Sequence, residues 1–264
     1  MSQVSEAIEK LTPEQRTAFR RLVLSLADTK RILGIRYSDW LLGAPSIEAG
    51  IAISSMAQDE WGHARLIYSV LKDFGEDPLE VEHERPSEEY CSVEALDEPF
   101  QDWAGVVAGI VVVDGALTVA LRGLGEGNYE GLTGRISKML DEEEFHQDLG
   151  RAWFRRLADA GGEARSRLVD QVQATLPTTL YALFPDDDHQ EALVAAGIVP
   201  GGADLRARFQ EEYADLLALG GLEIPGPEEL PDGWNEERSR GPGHPGEEAV
   251  ERARGDRNRA LFVE

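Results

Sequence analysis

The sequence predicts an all-α protein built on a four-helix bundle, and three observations carry that prediction. Four long stretches repeat apolar residues at alternating spacings of three and four, the period of helices that each bury one face. Breaks containing glycine or proline separate them. No run of Val, Ile and Thr alternates with polar residues for long enough to make a strand.

The first helix starts at Thr12-Pro13-Glu14-Gln15. Thr12 can cap it, Pro13 suits the first helical position and Gln15 can reach back in a capping box. It is expected to run to about residue 42, where Gly43-Ala44-Pro45-Ser46 breaks the chain before a second helix that ends near Gly75. These two form a hairpin. Residues 76–97 are acidic, contain proline and lack a sustained period, so they read as a long connection that crosses the bundle. A third helix is expected over 100–124 and a fourth over 129–160, closed by Gly161-Gly162. RLVDQVQATLPTTLYALF is a further helix that Pro177 should kink or end. Shorter helices are expected over 189–196 and 204–219. A bundle domain over 1–223 is thus followed by an irregular tail over 224–264, rich in Pro, Gly and charge. That tail is expected to be disordered or wrapped on a partner, with one short helix near its end.

Composition narrows the function classes. With 42% hydrophobic and 29% charged residues, the 264-residue chain can bury a sizeable core. Its formal net charge of -24 repels phosphate backbones and anionic lipid, so neither nucleic acid nor a membrane surface is an expected partner. The same acidity would suit a salt-rich cytoplasm. No apolar run is expected to span a membrane and MSQVSEAIEK lacks the features of a signal peptide, which gives a cytoplasmic expectation. Cys91 is the one cysteine, so a disulfide framework and a thiolate metal cluster are both excluded.

The core-facing seams carry the chemistry. The second helix gives Ile53, Met56, Glu60, His63, Ile67, Val70 and Phe74, and the fourth gives Leu132, Ile136, Met139, Glu143, His146, Gly150 and Trp153. Both have Glu-x-x-His at mid-seam. In the third helix Asp114 stands alone within GIVVVDGALTVAL, and in the first Lys30 interrupts Phe19, Val23, Leu26, Leu33, Tyr37 and Trp40. Lys30 lies 30 residues before Glu60 and Asp114 lies 29 before Glu143, so two similar hairpins would bring all of these groups to one level. Glu-x-x-His on two helices with a carboxylate from each of the others is the ligand pattern of ferritin-like di-iron and di-manganese proteins. Hard metal ions take carboxylate oxygen, and an i, i+3 spacing puts carboxylate and imidazole on one helix face. Three buried carboxylates demand a positive partner in any case.

Lys30 departs from that pattern, because a protonated amine cannot ligate a metal. Two outcomes are open. Lys30 supplies the missing charge by pairing with Glu60, Glu143 or Asp114, leaving one metal or none. Alternatively it swings aside, or Asp28 is recruited through a local irregularity of the first helix.

The segments MAQDEWGHARLIY, VVVDGAL, DEEEFHQDLGRAWFRRLA and LPTTLYALF resemble those of the phenylacetic acid catabolic protein family over most of the chain. That family comprises the catalytic A-type and structural C-type subunits of ring-1,2-phenylacetyl-CoA epoxidase, and the LPTTLYALF region and the length are closer to the C type. The resemblance implies a ferritin-like fold with metal ligands at Glu60, His63, Asp114, Glu143 and His146, and Lys30 at the sixth position. It also implies iron, as a di-iron or partial site, or no metal if Lys30 replaces its charge. The expected partner is a homologous ferritin-like catalytic subunit, with electrons from a reductase in the same complex. The first expectation is therefore a C-type scaffold subunit. The alternatives are a stand-alone ferritin-like metal-binding protein and a catalytic di-iron oxygenase subunit.

Weaker signals complete the reading. His83, His189 and His244 are expected in solvent, and Arg254-Gly255-Asp256 is a coincidental adhesion-like tripeptide. Asp59 and Asp141 are candidates to orient the seam imidazoles from behind, with surface acidity the preferred explanation for Asp141.

Overall fold

In the computed structural model, residues 8–226, 230 and 232–261 are described, and among them the architecture is helical, with one isolated bridge between Asn235 and Arg240. The N-terminal stretch 1–7, on which part of the targeting expectation rests, lies outside the described residues, as do 227–229, 231 and 262–264 of the tail.

Helix α1 (Pro13–Ser38) opens with the expected reciprocal cap between Thr12 and Gln15. It ends about a turn earlier than its apolar pattern predicts, because the chain turns over residues 39–46 before Ser46 caps α2 (Ile47–Tyr68). A tighter 3-10 turn, Ser69–Phe74, finishes the hairpin at Gly75, whose φ of 80° suits glycine. The connection that follows is not featureless: it holds a short helix, α3 (Pro78–Glu84), capped by Asp77.

Helix α4 (Trp103–Glu126) is the one described helix long and apolar enough to cross a membrane, contrary to the expectation from sequence. Its most apolar 18 residues are all buried inside the protein, which makes it the core helix of the bundle. Its middle, Gly109–Asp114, is wound as a π-helix, a local widening that often accompanies functional sites. Helix α5 (Thr133–Ala160) lies against that segment, and Gly150 allows the approach, since a Cβ there would sit 2.5 Å from Ile110 Cγ2.

Helix α6 (Gly162–Leu183) packs on α4 and α5 and runs through Pro177 rather than ending there. Helix α7 (Asp188–Ala195) lies on α1, and α8 (Gly202–Leu219) covers α4 and α5. The described part of the tail is docked on its own chain. Arg240 is fully buried and donates to Ser92 O at 2.8 Å and Asp97 Oδ2 at 2.5 Å, while Ser239 Oγ donates to Ala182 O. Helix α9 (Glu247–Arg254) then packs on α1 and α3. A buried guanidinium with a carboxylate and a carbonyl is a strong local anchor, which neither disorder nor wrapping on a separate partner describes.

Candidate functional site

Each bundle helix delivers one or two polar side chains to the same level, and all are sealed from water. Lys30, Glu60, Glu143 and His146 are 0% exposed, Asp114 1% and His63 2%. At the centre stands Lys30. Its Nζ donates to Glu143 Oε1 at 2.6 Å, Asp114 Oδ1 at 2.8 Å and Glu60 Oε1 at 2.9 Å, one bond for each of its three protons. Of the two positions open to this side chain, paired with the carboxylates or swung aside, the structure has it paired. Asp28 is not recruited: it faces away from the centre, where Arg85, Tyr68 and the Cys91 N–H hold it.

Around the lysine the carboxylates have unequal support. Glu143 Oε2 accepts from Thr118 Oγ1 at 3.1 Å, and Asp114 Oδ2 accepts from the Tyr37 hydroxyl at 3.3 Å. Glu60 Oε2 is buried without a hydrogen-bond partner. His146 Nδ1 faces inward, 3.0 Å from Asp114 Oδ2 and 3.4 Å from Glu60 Oε1. His63 Nδ1 also faces inward, 3.1 Å from Glu143 Oε1, without the alignment of a hydrogen bond.

Both imidazoles turn their outer nitrogens toward acids on the opposite helix. His63 Nε2 meets Glu142 at 2.8 Å and His146 Nε2 approaches Asp59 at 3.4 Å. The arrangement is a pseudo-two-fold one: the acid just before each seam glutamate supports the histidine of the other helix. Inward Nδ1 atoms with carboxylates on Nε2 are the usual support of metal-ligating histidine. Asp59 therefore takes the place considered for it, Asp141 is exposed as surface acidity implies, and Glu142 takes the other place. The signal is present in sequence, since Asp59 precedes Glu60 as Glu142 precedes Glu143. Tyr37 and Thr118 are site residues that the sequence pattern does not single out, although Tyr37 lies on the Lys30 seam.

Protonation follows from this geometry. Burial opposes the Lys30 ammonium, but Asp114, Glu143 and Glu60 reverse that and hold its pKa well above the ordinary lysine value. Burial likewise opposes charge on His146, and Asp114 more than compensates, keeping the ring protonated far above its usual range. His63 is raised too, against burial, by its contact with Glu143. Although burial pushes Glu143 up, Lys30 and the two imidazoles bring it well below the carboxylate range. Glu60 goes the other way, pushed up to about 7 by burial and Asp114. Lys30 and His146 thus set two positive charges against three carboxylates, and Glu60 is the group that takes up a proton.

One ligand atom each from Glu60, Asp114, Glu143 and His146 converge to within 4.8 Å of one another, a buried donor set that could hold a metal ion. His63 stands at its edge. The remaining histidines lie elsewhere: His189 is half-buried and His244 exposed. His83 is not simply solvated, since its Nδ1 lies 3.0 Å from the carbonyl of Arg254.

Comparison with known proteins agrees with this architecture. Residues 1–247 match the family model for phenylacetic acid catabolic protein. Among curated proteins, the A component of 1,2-phenylacetyl-CoA epoxidase from Escherichia coli (strain K12) is 23% identical over 196 residues. That alignment takes in 72% of this chain and 63% of the relative, so the chain matches less than two thirds of the relative's length. By its name that relative is one subunit of a larger epoxidase. With nearly the whole chain matched by the family model, and Glu-x-x-His facing Glu-x-x-His across a helical bundle, the chain belongs to the phenylacetic acid catabolic protein family.

Proposed function

We propose that this chain is the C-type, structural subunit of a phenylacetyl-CoA epoxidase-like multicomponent monooxygenase of aerobic phenylacetate catabolism. It supports a separate ferritin-like catalytic chain in a cytoplasmic hetero-oligomer that a reductase supplies with electrons. One observation carries the reading: the Lys30 ammonium lies 2.6 to 2.9 Å from Glu60, Asp114 and Glu143, where a metal cation would have to lie to use the same oxygens.

The family's oxygenase subunits are di-iron proteins. The donor set here does not fit that centre as it stands, because a protonated amine competes with metal for every carboxylate and gives no lone pair in return. The retained Glu60, His63, Asp114, Glu143 and His146 are then the frame of a metal site whose charge Lys30 has taken over. In this role the centre fixes the register of four helices and no step of the oxygenation passes through it.

A second reading has one observation in its favour, that the epoxidase relative is the A component of its complex. If Lys30 leaves the centre, Glu60, Asp114, Glu143 and both histidines would hold iron, which would activate O2. Metal analysis of the chain purified alone and with a co-expressed partner separates the two. The structural reading expects less than one metal ion per chain in both preparations, copurification with a second helical chain, and metal uptake by Lys30→Glu. Two iron ions per chain would sink it, and failure to copurify with any such chain would count against the complex.

A further inference from the structure

A cleft of about 660 Å³ lies away from the buried centre, where α1 and α2 meet the C-terminal helix α9. Its lining is unlike the rest of this acidic chain. Arg31 from α1, Arg65 from α2, and Arg252 and Arg254 from α9 converge on it, with Glu251 as the acid on its wall. The segment RARGDRNR over 252–259 places four arginines in eight residues of a chain whose net charge is -24.

The arginines are held in place from behind. Arg252 pairs with Asp39 at 2.7 Å, and Arg254 pairs with Asp256 at 2.6 Å across Gly255. The Arg254-Gly255-Asp256 tripeptide is thus closed on itself as a helix terminus, and it is not presented as an adhesion loop. Arg31 Nη2 donates to the Ala253 carbonyl and lies 3.2 Å from Glu82, while its Nε is buried and has no hydrogen-bond partner. Arg65 is 69% exposed, and its nearest approach to a carboxylate is 4.0 Å, to Glu82. Guanidinium donors are therefore left over at this site.

An aromatic surface and open space adjoin them. Trp61 lines the cleft with its indole N–H side tucked against α1, which Gly34 permits, because a Cβ there would collide with the indole nitrogen. One residue on, Gly62 also lines the cleft, and a Cβ added to it would meet nothing within 4 Å. Apolar ring, spare guanidinium donors and a volume suited to a small organic molecule stand together.

We propose that this cleft binds an aromatic anion, its ring against Trp61 and its phosphate or carboxylate group held by Arg31 and Arg65. The site is independent of the metal-donor centre and of any scaffold role. Isothermal titration of the full chain with phenyl phosphate and with benzoate tests it, with inorganic phosphate and benzyl alcohol as the charge-only and ring-only controls. At least one aromatic anion should bind about tenfold more tightly than both controls, and the tighter of the two identifies the preferred headgroup. Arg65→Gln, at an exposed position, should weaken that binding about tenfold and reduce its salt dependence. Gly62→Leu should abolish it by filling the cleft while the helical spectrum and melting temperature are kept. Aromatic anions that bind no better than the controls, or binding indifferent to Gly62→Leu, would overturn the proposal.

Discussion

Two buried charged clusters sit on α1 only two residues apart, and they are built on different plans. Asp28 meets Arg85, the Tyr68 hydroxyl and the Cys91 N–H, and both of its oxygens have partners. The Arg85 guanidinium also lies over the Tyr90 ring at 4.9 Å. One carboxylate faces one guanidinium there, and the pair ties the α3 connection to the bundle. Lys30 faces three carboxylates, one of them Glu60 with an oxygen that has no partner. The first cluster is closed in charge and in hydrogen bonds, as a structural ion pair should be. The second sets three carboxylates against Lys30 and His146, and leaves one carboxylate oxygen without a partner.

That contrast breaks first at Lys30. Lys30→Met keeps the volume but leaves three carboxylates buried against one imidazolium, and should cost about 3–5 kcal/mol at neutral pH in urea unfolding. If the variant is as stable as the parent, the ammonium is not what holds the centre together. At the other cluster, Asp28→Asn keeps the shape while leaving the Arg85 guanidinium without its anion. A loss of about 2–4 kcal/mol is expected, with no rescue by added divalent metal. Rescue of Asp28→Asn by metal would erase the distinction between the two clusters.

Much of this is legible in sequence because helical periodicity reports burial. Glu60, His63, Asp114, Glu143 and His146 fall on apolar seams, and the matched spacings of 30 and 29 residues bring Lys30 to their level. The same arithmetic turns Asp28 away, since two residues rotate a helix by about 200°. Other features leave no periodic trace. The π-helical winding around Asp114 occurs in an almost uniformly apolar run, where a one-residue widening changes no pattern. Arg240 reads as solvated because its neighbours are Gly, Pro and charged, yet its partners are Ser92 and Asp97, more than 140 residues earlier. Long-range pairing of a polar residue is invisible to a local pattern.

The smallest effect is expected at Glu60, and it sharpens the comparison through pH. Burial and Asp114 raise the folded-state pKa of this carboxyl from its ordinary 4.5 to about 7. Between those values the native state holds a proton that the unfolded chain has lost, so this group's contribution to stability declines as pH rises through that window. Glu143, with its depressed pKa, has the opposite sign: its contribution is present above the ordinary carboxylate value and is lost only as pH falls toward its folded value. Glu60→Gln keeps an acceptor for Lys30 and removes only the titration. Relative to the parent it should gain about 2 kcal/mol between pH 5 and pH 8. Parallel stability profiles would mean that Glu60 is ionised throughout and that the centre carries its surplus negative charge elsewhere. A converging pair at pH 5 that separates at pH 8 would mark Glu60 as the oxygen donor left over when an ammonium took the middle of the bundle, a surplus that the closed Asp28 cluster does not have.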